Sequence, residues 1–125
     1  MSEMIGKRRR VPRRDYQKRI GVLYSGTYLF ADALQIGEGG MLFASSDVFQ
    51  KGQMLVVSFH IPGYQHAIAR AVIRYAVEDE EQPGNMKYGV EFENIDFDSK
   101  RYIRYYVASD RQPIGKENPT LAGVG

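Results

Sequence analysis

The chain contains no cysteine. That removes a disulfide framework, a thiolate metal site and a cysteine nucleophile from consideration. Histidine is nearly as scarce: His60 and His66 are the only two, and neither has a ligand-spaced partner, so no metal site is expected. A serine triad would need a histidine held by a third group, and nothing orients His60. The carboxylates gather in Glu78-Asp79-Glu80-Glu81, beside Pro83-Gly84, where solvent leaves no desolvated acid for proton transfer. Gly37-Glu38-Gly39-Gly40 is followed neither by Lys-Ser/Thr nor by a helical pattern, which excludes a Walker loop and a dinucleotide fingerprint. No apolar run approaches the ~18–20 residues that span a bilayer. Met1–Gly6 leads into arginines and not into an apolar segment, so it is not a signal peptide. The expectation is a soluble cytoplasmic protein that is not an enzyme, with no catalytic residues, no cofactor and no membrane insertion.

What is present is a lopsided charge. The net charge of the 125 residues is +2, yet residues 1–20 carry Lys7, Arg8, Arg9, Arg10, Arg13, Arg14, Lys18 and Arg19 against Glu3 and Asp15, a local +6. The remaining residues therefore sum to −4. Such asymmetry points to one localised anion site, not a generally basic surface. Residues 1–18 lack apolar periodicity and read as a flexible basic arm. Pro12 removes a backbone donor and pushes Val11 out of the helical region, so the arginines ride on an extended or turning segment. Arginine suits phosphate: its planar fork donates bidentate hydrogen bonds and its face stacks on a purine.

From Arg19 the pattern is β. Residues 19–25 and 27–36 are rich in branched and aromatic side chains, with Ser25-Gly26 between them, the signature of a hairpin. Met41–Ala44 resumes the pattern after the glycine turn, and residues 47–53 form another loop. Leu55, Val57, Phe59 and Ile61 share one face of a strand. Ala69, Ala71, Ile73, Tyr75 and Val77 share the core face of the next, which turns Arg70 and Arg74 outward together. Residues 86–93 place Tyr88, Val90 and Phe92 inside, with Gly89, Glu91 and Glu93 outside. Residues 98–109 alone show helical spacing, through Tyr102, Ile103, Tyr106 and Val107, capped by Asp96 or Asp98. The order of about six strands and one C-terminal helix predicts a mainly β fold, an antiparallel barrel or sandwich with the helix at one end. The divisions are 1–18 for the arm, 19–111 for the folded body and 112–125 for a mobile tail.

Arg9-x-x-x-Arg13, followed by Gln35-Ile36-Gly37-Glu38-Gly39-Gly40, resembles the two-part signature of PilZ domains, an RxxxR motif and a [D/N]xSxxG motif. The first is matched in full. In the second, Gly40 holds the final glycine, while Gln35 stands where Asp or Asn is usual and Gly37 where Ser is usual. Tyr88-Gly89-Val90-Glu91-Phe92 is similar to the family's closing strand, and the likeness runs over about residues 7–110.

The resemblance implies a six-stranded antiparallel β-barrel with a C-terminal α-helix, and a bacterial second-messenger receptor for cyclic di-GMP. Arg9, Arg10, Arg13 and Arg14 would take phosphates and stack guanine. Gln35, Gly37 and Gly40 would meet a guanine edge. Independently of the resemblance, the strand pattern turns Arg74 outward, where it would stack a guanine or pair a phosphate. The missing serine hydroxyl would cost about 0.5–1.5 kcal/mol, roughly tenfold in affinity. The signal would pass to an unidentified partner protein, with no nucleic-acid partner. A PilZ-fold adaptor that acts by protein–protein contact without nucleotide is the alternative reading. Nonspecific nucleic-acid binding by the arm is a third, and the acidic remainder offers it no continuing basic track.

Overall fold

The computed structural model describes residues 12–109, and Arg9 and Arg10 lie outside that range. Six strands follow one another: β1 (Arg13–Tyr24), β2 (Thr27–Gly37), β3 (Gly40–Ser45), β4 (Met54–His60), β5 (His66–Glu78) and β6 (Met86–Ile95), then helix α1 (Phe97–Ser109). All neighbours are antiparallel, and the sheet closes as a barrel in the order β1-β2-β3-β6-β5-β4. Barrel and helix are the architecture the strand order and resemblance imply. The first hairpin turns on Ser25 and Gly26, both at positive φ (50° and 77°), a left-handed pair that matches the right-handed twist of the strands.

Alternation fills the interior. Val22, Val57, Phe43, Ala71 and Ile73 are completely buried. Leu55, Phe59 and Ile61 of the β4 stripe are buried with them, and Tyr88 and Val90 close β6 from inside. At one end α1 packs Ile103 and Val107 against the core. Its start is capped by Asp96, whose Oδ2 accepts from the Ser99 amide at 3.0 Å. The hydrogen bonds from Ser99 hold the Asp96 carboxyl below its ordinary range.

Three expectations need correction. The first strand begins at Arg13, inside the segment assigned to the arm as residues 1–18, because Arg13 and Arg14 already pair with Gly37 and Ile36. Tyr16 anchors this extension. It is buried, its ring meets Phe59 and Tyr106 edge-on at 6.4 and 6.1 Å, and its hydroxyl donates to the His60 carbonyl. A bulge between Asp15 and Lys18 separates Tyr16 from the regular pleat, which hides it from a period-2 reading.

The second correction concerns Tyr75 and Val77, expected in the core and found 44% and 49% exposed. Ile73 pairs with Val90 and Tyr75 with Gly89, so Arg74 is an extra residue on β5. One extra residue inverts the alternation beyond it. The acidic loop also differs in one residue. Asp79 is buried and organises the turn by accepting from the Glu81 amide at 3.1 Å.

Burial pushes the Tyr16 hydroxyl up to about 12 from its ordinary 10. A raised folded-state value means stability fully present below pH 10 and lost as pH rises through about 12. The wild type is expected to lose on the order of 2 kcal/mol more than Tyr16→Phe across that window. Denaturant unfolding at pH 9, 10.5 and 12 measures it, and parallel alkaline limbs would contradict the assignment.

Candidate ligand cleft

The outer surface of the barrel carries a concavity where side chains are missing. Register places two cross-strand rows side by side. In the first, Arg13 faces Gly37, Gly37 faces Gly40 and Gly40 faces Glu91. In the second, Gln35 faces Leu42, Leu42 faces Gly89 and Gly89 faces Tyr75. Glycine in three of these places leaves a floor of backbone. An open cleft of about 360 Å³ results, walled by Arg13 and Gln35 on one side and by Arg74, Tyr75 and Glu91 on the other.

Two bulges build the walls. Ala33 pairs with Phe43 and Gln35 with Leu42, so Leu34 is an extra residue of β2 against β3. Ala31 and Ala33 are buried before the bulge and Ile36 after it. Without the extra residue Gln35 would continue the inward series, and with it the amide lies on the outer face. The bulge at Arg74 does the same for Tyr75, whose ring lies over Gly89: a Cβ there would stand 2.2 Å from the ring. Gly40 is required for a different reason, since a Cβ on it would come 2.2 Å from the Val90 carbonyl oxygen. At Gly37 a Cβ would lie 2.8 Å from the Pro12 carbonyl oxygen and 3.3 Å from Arg13 Cγ.

Charge in the cleft is arranged unevenly. Arg74 Nε donates to Glu91 Oε1 at 2.7 Å across β5 and β6, with both side chains about half exposed (50% and 55%). Arg13 and Arg14 part company, because adjacent residues of a strand point to opposite faces. Arg13 enters the cleft. Arg14 turns to the helix, donating to the Tyr106 carbonyl at 2.8 Å and to Ser109 Oγ at 3.2 Å, with its guanidinium 4.0 Å from the Tyr106 ring centre. The turn of the glycine hairpin is tied to α1 as well. Arg104 donates to both carboxylate oxygens of Glu38, at 3.1 and 2.8 Å, which holds the Glu38 carboxyl below its ordinary range.

Of the residues singled out in the sequence, Arg13, Gln35, Gly37, Gly40 and Arg74 come together in this cleft. Arg14 does not join them, and Arg9 and Arg10 are outside the described residues. Nothing in the local sequence announces the bulge that makes Tyr75 a wall residue. Glu91 reads as outward-facing, but only the pairing of β5 with β6 sets Arg74 against it. Among the described residues there is no group of three or more side chains able to hold a metal ion, and no helix long and apolar enough to cross a membrane.

A closed six-stranded barrel with its glycine-floored cleft outside and a helix across one end defines a small β-barrel domain. The PilZ domain family model matches residues 7–109, and the chain belongs to that family. Similar solved structures include the inhibitor of motility MotI/DgrA of Bacillus subtilis (TM-score 0.75, 18% identity, 84% of this chain and 52% of that one). The PilZ domain of YcgR from Escherichia coli with cyclic di-GMP is also similar (TM-score 0.62, 13% identity, 91% of this chain and 99% of that one). So is the PlzA protein of Borreliella burgdorferi in complex with cyclic di-GMP (TM-score 0.60, 15% identity, 85% and 44%). The chain spans about half the length of MotI/DgrA and of PlzA. Curated protein sequences contain no match to it.

The floor makes a direct demand on stability. Gly40→Ala must push β3 from β6 or bend one of them, at a cost of about 1–3 kcal/mol. Urea unfolding of the variant reads this, and an unchanged midpoint would show that the strands do not meet as closely as described.

Proposed function

We propose that this protein is a cyclic di-GMP receptor that binds the dinucleotide in the outer cleft and passes the occupied state to a partner protein. The carrying observation is the convergence of Arg13, Gln35, Gly37, Gly40 and Arg74 from four separate strands on one open cleft. Arg13 donates a forked, charge-assisted pair to phosphate. Gly37 and Gly40 let the sugar-phosphate ring approach backbone. Gln35 offers both a donor and an acceptor to a base edge, and Tyr75, at the far end of the same row, offers an exposed aromatic face to a base. Arg9 and Arg10, four and three residues before Arg13, supply the remaining guanidinium groups from the preceding segment. The reading is supported by the family and by similar folds whose structures hold cyclic di-GMP.

Arg14 has a different part in this scheme. It stands on β1 next to a ligand arginine and grips the last turn of α1. Movement of the Arg13 backbone on binding is thereby felt at the helix, which gives the occupied state an outward expression for a partner to read.

Isothermal titration with cyclic di-GMP tests the proposal. The wild type is expected to bind, and Arg13→Ala to weaken binding by about 10- to 100-fold, as loss of a hydrogen bond to a charged group does. Absence of heat from the wild type at high micromolar ligand would reject the receptor reading and leave the nucleotide-independent adaptor.

A further inference from the structure

Building on the receptor reading, we infer that Glu91, held by Arg74, reads the donor edge of a guanine and makes the cleft selective for guanine over other purines. Among the described residues lining the cleft, Glu91 is the one carboxylate. A carboxylate repels phosphate, so its presence in an anion cleft requires a separate task or a separate zone. Register supplies the zone. Arg13 lies on β1 and Glu91 on β6, at opposite ends of the row that runs through Gly37 and Gly40. Three strand steps of ~4.8 Å put them about 14 Å apart, enough for phosphate at one end and a base at the other.

The base end has the chemistry of an edge reader. Arg74 spends its Nε on Glu91 Oε1 at 2.7 Å. Among the described residues, the guanidinium nitrogens beyond Nε and the second carboxylate oxygen make no other hydrogen bond. The pair therefore offers a donor next to two acceptor atoms. Guanine presents the complementary series, O6 as acceptor followed by N1–H and N2–H as donors. Adenine in the same position sets an amino donor against the guanidinium and has no donor at C2. Tyr75, on the neighbouring row and two residues along β6 from Glu91 through its partner Gly89, supports the base from below. Two residues along a strand span about 6.6 Å, which sets the carboxylate to one side of the ring.

Removing only the 2-amino group isolates the contact. Binding constants of the wild type and Glu91→Gln are measured for cyclic di-GMP, for cyclic di-IMP, which lacks that group, and for cyclic di-AMP. The wild type is expected to prefer cyclic di-GMP over cyclic di-IMP by about tenfold or more, and Glu91→Gln to reduce that preference to within about threefold. The pair is half exposed, so the substitution is expected to leave the melting temperature unchanged, and calorimetry checks this on the same samples. A residue that merely steadies Arg74 would weaken both ligands equally, and that result overturns the inference. Unaltered affinities overturn it too. If the wild type binds no cyclic di-GMP, the receptor reading fails first and takes this assignment with it. Binding with an unchanged ratio defeats the assignment alone.

Discussion

A barrel of six strands has an interior just wide enough for its own side chains, and here that space is full. Val22, Val57, Phe43, Ala71 and Ile73 leave it no exposed atom to speak of, so any ligand must be held outside. The outside of a barrel is convex, and a convex sheet offers little grip. Concavity has to be made by removing side chains in the middle of a patch and keeping them at its edges. Gly37, Gly40 and Gly89 do the first, and Arg13, Gln35, Arg74, Tyr75 and Glu91 do the second. The close strand approach at Gly40 and the ring seated over Gly89 show that the glycines also serve packing. The floor of the cleft and the integrity of the barrel thus depend on the same residues.

The beginning of β1 joins this cleft to the helix. Three features meet there within a few residues. Arg13 faces the cleft, Arg14 caps α1 from the opposite face, and Tyr16 fills the end of the barrel beneath the helix. The Glu38–Arg104 pair repeats the link from the other side of the site, through the hairpin that carries Gly37 and Gly40. Such half-exposed ion pairs add little to stability singly. Their consequence is geometric, since they fix α1 relative to the rim where ligand is proposed to bind.

Much of this architecture was legible in the chain. The alternation of Leu55, Val57, Phe59 and Ile61 is unbroken, and all four are buried. The stripe of Ile103 and Val107 reads as a helix and forms one. Both depend on near-neighbour periodicity, which sequence displays directly. The reading failed where periodicity was interrupted. Tyr75 and Val77 continue a perfect alternation on paper, yet the extra residue at Arg74 inverts their faces. Tyr16 falls within residues 1–18, which carry no apolar periodicity, because the bulge between Asp15 and Lys18 breaks the pattern there. A bulge is a property of two paired strands, and one strand's sequence does not contain its partner.

The residue types of the cleft were determined by the sequence alone: arginines spaced by four, glycines in the hairpin, a glutamine at the usual place of an acid or its amide. So was the asymmetry that concentrates positive charge ahead of the first strand. Tertiary structure decided which of those residues meet. It separated Arg13 from Arg14 by the pleat, turned Gln35 and Tyr75 outward by two bulges, and set Glu91 against Arg74 by pairing β5 with β6. Composition and spacing are local quantities, whereas the face a side chain occupies depends on register, and register is settled only when the barrel closes.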